Sequence, residues 1–485
     1  MEQINRSLHE ECGVFGIYDR TGETDMVAAV YHALYALQHR GQESCGIAIN
    51  DDGVITGYRD LGLVNEVFTP AMMASLPKDG KMAVGHVRYS TSSQRIRSNS
   101  QPLVVRHCKG TIALCHNGAL TNGQALRRKL ELNGAIFHGT SDAEIISYII
   151  TQHRLTSPSI EAAISSAMSE LEGAYSLVIM SPTKLIAARD PHGFHPLCVG
   201  KLEDGYVFAS ESCALDAVGA EMIRELEPGE ILIADKEGLR SMTEHCGKCP
   251  SSLCVFEYIY FARPDSVVEG TSVHEARKQA GRFLAQSFPV EADVVIGAPD
   301  SGLDAALGYA EESGIPYGIG FLKNKYIGRT FIQSTQKQRE SSVRIKLNVI
   351  QSTVKGKKVV LVDDSVVRGT TSARTIKLLR DAGAKEVHYR ISAPPFTDPC
   401  YFGTDVPDKK YLLAVGRTME EINRIIGSDT VGFLSVDQVK KLGVNSKCGY
   451  CVGCFTGEYP VAVPTEAADD PFSQPLSLSK KNKSL

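Results

Sequence analysis

The chain has 485 residues, 43% hydrophobic and 22% charged, with 13 cysteines and a formal net charge of −4. That length sets a prior of about two or three domains, each large enough to bury a core without staples. Near-balanced charge excludes nucleic-acid binding by bulk charge, no run reaches the roughly 18 apolar residues of a membrane span, and the polar start MEQINRSLHEE is no secretory signal.

A cytoplasmic protein is therefore expected, and in a reducing compartment the cysteines favour metal ligands or a nucleophile over disulfides. The first 240 residues alternate short apolar segments with turns. CGVFGIY at 12–18, SCGIAI at 44–49, YSLVIM at 175–180 and GYVFAS at 205–210 read as strands. Asp25–His39 places Met26, Val30, Ala33, Leu34 and Leu37 on one helical stripe. Ser141–His153 reads as a second helix, with Ser141 as N-cap and Glu144 three residues on. Many strands with helices outside them predict α+β layers.

After residue 240 the rhythm changes. Ser272–Ser287, Leu303–Glu312 and Thr370–Ala382 read as helices, and DVVIGAPD, KKVVLVDD and EVHYRISAPP as strands between them. Strand–loop–helix units in series predict a doubly wound parallel sheet. A boundary is expected near 240–255, where EHCGKCPSS is polar, and a polar tail over 465–485.

Cys12 opens the first strand; alone, it reads as a small buried hydrophobe. Three other segments change that reading. Arg88 in GHVRYST suits a carboxylate clamp, and Asn117 with the Gly118 backbone N–H in LCHNGAL suits an oxyanion pair. Asp142 in HGTSDAE could hold an amino group. No Cys/His signature neighbours Cys12, so its base would be its own α-amine, which requires removal of residues 1–11 as a propeptide. These segments, with LQHRGQES at 37–44, resemble the N-terminal-nucleophile glutamine amidotransferases. The resemblance implies a four-layer αββα sandwich over 12–245 that hydrolyses glutamine.

VVLVDDSVVRGTT at 359–371 joins an apolar strand to two carboxylates, a short loop and a helix start. It resembles the phosphoribosyl-pyrophosphate motif of type I phosphoribosyltransferases. That resemblance implies Asp363 and Asp364 on the ribose and magnesium side, and Ser365, Arg368, Gly369, Thr370 and Thr371 around the 5′-phosphate. PDSG at 299–302 could hold pyrophosphate or Mg²⁺ through Asp300, Ser301 and Gly302. The cationic segment 323–340 reads either as a solvated surface loop or as a lid, with Lys325, Tyr326 and Arg329 as its best contacts.

From spacing alone, Cys246–Cys249 and the run Cys448–Cys451–Cys454 could form a zinc site from two CxxC pairs. SLCVFEYIYFARPDS at 252–266, DPC at 398–400 and CVGCFTGEYP at 451–460 instead resemble the iron–sulfur subclass of the glutamine phosphoribosylpyrophosphate amidotransferases. That implies Cys254, Cys400, Cys451 and Cys454 as [4Fe–4S] ligands, with Cys246, Cys249 and Cys448 spare. Cys45, Cys108, Cys115, Cys198 and Cys213 read as core thiols. The family, a glycosyltransferase, takes glutamine, phosphoribosyl pyrophosphate and water to 5-phosphoribosylamine, glutamate and pyrophosphate, the committed step of purine synthesis. It also implies a phosphoribosyltransferase unit over 255–464, ammonia passed internally, feedback by purine nucleotides, and dimers or tetramers. Two rivals were a glutamine-dependent sugar-phosphate isomerising enzyme, which lacks the Asp363–Asp364 motif, and a non-enzymatic regulator, which predicts a degraded Cys12 site.

Overall fold

The computed structural model describes residues 12–89, 96–324, 347–404, 406 and 408–464. The first unit is built from two facing antiparallel sheets. Strand Cys12–Asp19 is central in a sheet of seven, between Gly205–Ala209 and Met82–Arg88. Its period-two alternation sends Phe15 and Ile17 to an outer helical layer and Val14 and Tyr18 to the layer between the sheets. The second sheet has six strands, with Ser176–Met180 and Gly110–Asn117 adjacent. Helices Met26–Ala36 and Ser212–Ala217 cover the first sheet; Gly123–Leu132, Asp142–Thr156 and Ile160–Met168 cover the second. This is the expected αββα sandwich.

Capping residues set the helix starts. Asp25 accepts the Ala28 N–H at 3.0 Å and Ser141 the Ala143 N–H at 3.2 Å. Glu144 does not close a capping box on Ser141. It reaches further back, to the N–H groups of His138 and Gly139, at 2.9 Å each. Helix Met26–Ala36 lies so close to its sheet that a Cβ at Gly85 would stand 2.4 Å from Val30 Cγ1.

The second unit carries a parallel sheet ordered Val294–Gly297, Lys358–Asp363, Glu386–Ile391, Thr430–Phe433. Val295 also bridges Tyr317 in parallel on its other side. The chain therefore moves outward from Val294–Gly297, then returns across it to Lys358–Asp363. Right-handed crossovers in opposite directions put helices Gly302–Ser313 and Thr370–Asp381 on opposite faces, the doubly wound arrangement expected. The reversal lies between the carboxyl ends of Val294–Gly297 and Lys358–Asp363, where such sheets bind ligands. Strand Thr430–Phe433 and its helix Met419–Ile426 escaped the sequence reading, although Thr418 and Glu421 form a capping box there.

The strand pair Phe321–Lys323 and Leu347–Val349 brackets 325–346. Lys325, Tyr326 and Arg329 lie outside the described residues, as do 1–11 and 465–485. The two units share a core: Ala174 and Phe194 of the sandwich pack with the second unit, and Phe194 stacks on Phe402 at 4.2 Å between centroids. Cys45, Cys115, Cys198 and Cys213 are buried, whereas Cys108 is exposed, because it sits in the turn between Leu103–His107 and Gly110–Asn117. Among the described residues no helix is long and apolar enough to cross a membrane.

Candidate active site

The strand ladder places Cys12 in register with Arg88, and Arg88 in turn with Ser44. Cys12 is fully buried and close enough to Cys115 in the facing sheet to raise that thiol's pKa, which burial already pushes well up. Asn117 ends the same strand as Cys115 and is 1% exposed, yet neither its amide nitrogen nor its oxygen has a hydrogen-bond partner. A buried, unsatisfied amide beside a buried thiol is costly unless a ligand completes it. Gly118 follows at φ +133°, and a Cβ there would stand 2.2 Å from the Ala174 carbonyl oxygen. Only glycine lets the chain turn at this point.

Arg88 is 1% exposed, and its Nη1 donates to Glu43 Oε1 at 3.1 Å. Asp142 is the first residue of helix Asp142–Thr156, and its Oδ2 accepts the Leu120 N–H at 2.8 Å, which ties it to the loop after Asn117. Burial pushes His86 down to about 3, so it stays neutral, with Nε2 at 2.9 Å from the His116 carbonyl.

At the second site, Asp363 ends its strand and its Oδ2 accepts from Tyr389 Oη at 2.6 Å. Ser301 and Ser365 hydroxyls each donate to Asp364 at 2.5 Å. Burial and the neighbouring Asp364 raise the Asp363 pKa. Two adjacent carboxylates with one disfavoured charge suit a cation, and Asp363, Asp364 and Ser301 present the oxygen donors Mg²⁺ prefers. Gly369, at φ +76°, caps helix Thr370–Asp381, whose Thr370 and Thr371 are exposed at its open N-terminus. Arg368 is exposed, with its guanidinium carbon 5.5 Å from the centroid of the Tyr411 ring. Asp300 pairs with Lys323 across the mouth of this site.

Cys254 and Cys451 face each other in register across the short parallel pair Leu253–Cys254 and Tyr450–Cys451. The Cys454 carbonyl accepts the N–H groups of Thr397 and Asp398, at 3.1 and 3.2 Å, which brings in the segment carrying Cys400. Burial first, and mutual proximity next, push the Cys254 and Cys454 thiols well up, and Cys451 to about 12. Cys448 instead hydrogen-bonds Ser446 at 2.8 Å, and Cys246 lies beside Glu227 and Glu230. Among the described residues, no three His, Cys, Asp or Glu side chains converge tightly enough for a single ion. Cys400 and Cys451 are buried and Cys254 and Cys454 half-buried, and their sulfurs are donors of the kind that ligate zinc or an iron–sulfur group.

The sequence reading missed Arg40, Glu211, Glu257 and His195, all buried and linked across the two units. A signal was present: Glu257 is the single charge in the apolar run CVFEYIYFA, and a buried acid needs a partner.

Residues 86–217 match the glutamine amidotransferase domain and 271–395 the phosphoribosyl transferase domain. The chain is 47% identical to the amidophosphoribosyltransferase of Archaeoglobus fulgidus, over 94% of this chain and 100% of that one. It is 47% identical to that of Bacillus subtilis, over 94% and 96%. Among solved structures, it is similar to the B. subtilis glutamine phosphoribosylpyrophosphate amidotransferase complexed with ADP and GMP. That match has a TM-score of 0.87, 46% identity, and 94% and 99% coverage. A structure described as the allosteric regulatory enzyme of purine biosynthesis matches with a TM-score of 0.88 and 45% identity, over 94% and 98%.

Proposed function

Because the chain belongs to the amidophosphoribosyltransferase family, an enzyme family of purine biosynthesis, we propose that Cys12 cleaves glutamine and that Asp363 and Asp364 seat the phosphoribosyl group receiving its ammonia. The observation that carries this is the Asn117 amide, buried without a partner at the end of the strand whose Cys115 lies close to Cys12.

The Cys12 thiolate attacks the glutamine carboxamide. Asn117 Nδ2 and the Gly118 N–H stabilise the oxyanion, Arg88 orients the substrate carboxylate, and Asp142 its amino group. The thiol's base is the α-amine Cys12 would carry once residues 1–11 are removed, since burial keeps His86 neutral and its Nε2 lies against the His116 carbonyl of the facing sheet. Ammonia leaves and water releases glutamate.

In the second unit, Asp363 and Asp364 accept from the ribose hydroxyls. The loop 365–369 and the open helix N-terminus at Thr370 and Thr371 take the 5′-phosphate. Mg²⁺ held by Asp363, Asp364 and Ser301 would neutralise the departing pyrophosphate. A [4Fe–4S] cluster on Cys254, Cys400, Cys451 and Cys454 would tie the start of the second unit to its end, with no redox role in the reaction. Purine nucleotides are proposed as feedback ligands, in line with the ADP and GMP in the B. subtilis relative.

Cys12→Ala tests the assignment: it should abolish synthesis from glutamine and retain synthesis from added ammonia. Loss of both in a folded protein would refute it.

A further inference from the structure

A carboxylate of the second unit reaches the backbone of the nucleophile through one arginine. Glu257 opens the short helix Glu257–Phe261 and is fully buried. Its Oε1 accepts from Arg40 Nη2 at 2.7 Å, and its Oε2 from Nη1 at 2.8 Å. Arg40 Nη1 also donates to Glu211 Oε1 at 2.7 Å, and Arg40 Nε donates to the carbonyl of Cys12 at 2.9 Å. On its other side, Glu257 Oε1 lies 3.1 Å from His195 Nδ1, and His195 Nε2 lies 2.9 Å from the carbonyl of Phe402, two residues beyond Cys400.

A guanidinium is planar and rigid. Once a bidentate carboxylate holds its two terminal nitrogens, the direction of its Nε–H is fixed. Here that direction is the Cys12 carbonyl. A buried ion pair is poor evidence of stabilisation, because desolvation offsets its attraction. Glue between the units is already supplied by Phe194 on Phe402 and by the Arg189–Glu269 pair at 2.8 Å. What the Glu257–Arg40 pair adds is aim.

We propose that Glu257 is a positioning residue for glutamine cleavage, supplied by the phosphoribosyl half, which sets Arg40 and through it the main chain of Cys12. The inference rests on Cys12 being the glutamine nucleophile. It makes the first site competent only with the second unit docked, and it joins the segment after Cys400 to the same chain of contacts.

The test uses the full-length enzyme and its Glu257→Gln variant, which keeps the volume but loses the charge and the fork. The readout is the rate at which the glutamine analogue 6-diazo-5-oxonorleucine alkylates Cys12, followed by intact mass, beside synthesis from ammonia and thermal unfolding. Glu257→Gln should slow alkylation between about tenfold and about a hundredfold, the cost of misplacing a reacting group by up to an ångström, and leave ammonia-dependent synthesis within about twofold. Glu269→Gln, which breaks the Arg189–Glu269 ion pair between the units, should alkylate at the wild-type rate. Glu257→Asp keeps the charge on a shorter arm and should fall between; it supplies the answer if Glu257→Gln does not fold. A wild-type alkylation rate in either Glu257 variant, whatever its melting temperature, overturns the proposal. So does an equal loss in Glu269→Gln, which would mark general loosening of the interface. A wild-type enzyme unmodified at Cys12 removes the nucleophile reading and this proposal with it.

Discussion

Gly118→Ala separates the two halves of the enzyme by a single methyl group. At φ +133° an L side chain is strained, at about 1–3 kcal/mol. The new Cβ would also stand 2.2 Å from the Ala174 oxygen and 2.6 Å from its carbonyl carbon. Those are backbone atoms beside strand Ser176–Met180, so relief requires a shift of about 1 Å toward an ordinary contact distance, and overpacking of that kind adds about 1–3 kcal/mol. A combined loss of about 3 kcal/mol lowers the melting temperature of a unit of this size by roughly 6–12 °C. The same shift withdraws the Gly118 N–H from the oxyanion, at a cost of about 10²–10³ in glutamine-dependent rate. Calorimetry and paired assays with glutamine and with ammonia read both effects; the ammonia-dependent rate should stay near wild type. Gly134→Ala is the control: its φ is +87°, but nothing lies within 4 Å of the added Cβ, so it should show strain alone and full activity. Wild-type melting and glutamine-dependent rate in Gly118→Ala would refute both the steric account and the oxyanion assignment.

Asp363→Asn should lose synthesis from both nitrogen sources while Cys12 still alkylates, because ribose seating is common to the two; retained synthesis from ammonia would remove Asp363 from the site. Cys254→Ser should purify without iron and sulfide from anaerobic cells whereas Cys448→Ser should keep both, and full iron in Cys254→Ser or stoichiometric zinc in the wild type would contradict the ligand set. Burial first, then Glu269, raises Glu225 from 4.5 to about 7. The folded state therefore holds a proton that the unfolded state has lost between those pH values, and wild-type stability falls as pH rises from about 5 to about 7 and stays reduced above. Glu225→Gln should gain melting temperature relative to wild type across that window, and a difference independent of pH would exclude Glu225 as the titrating group.

The strands of both units were legible because burial wrote them as apolar runs: Val359–Val362 and Val294–Ile296 carry no polar break. Strand Thr430–Phe433 was not, because four residues with an exposed Thr430 give too short a pattern to separate from a loop. Asp363 and Asp364 were legible because the motif is contiguous, and Cys12, Asn117 and Asp142 because each ends or starts an element. Tyr389 and Glu43 were not: their partners Asp363 and Arg88 lie 26 and 45 residues away, and only the fold brings them together. Cys108 was read as a core thiol from its residue type alone, although Arg106, His107, Lys109 and Gly110 around it mark a hairpin turn.

The measurement that bears most directly on a two-site enzyme with internal ammonia transfer uses glutamine labelled with ¹⁵N in its amide, phosphoribosyl pyrophosphate and unlabelled ammonium at a level from which the Cys12→Ala variant makes no measurable product. Glutamate and pyrophosphate should form in equal amounts, with ¹⁵N retained in the phosphoribosylamine. Glutamate released without matching pyrophosphate, or product carrying the unlabelled nitrogen of the medium, would contradict it.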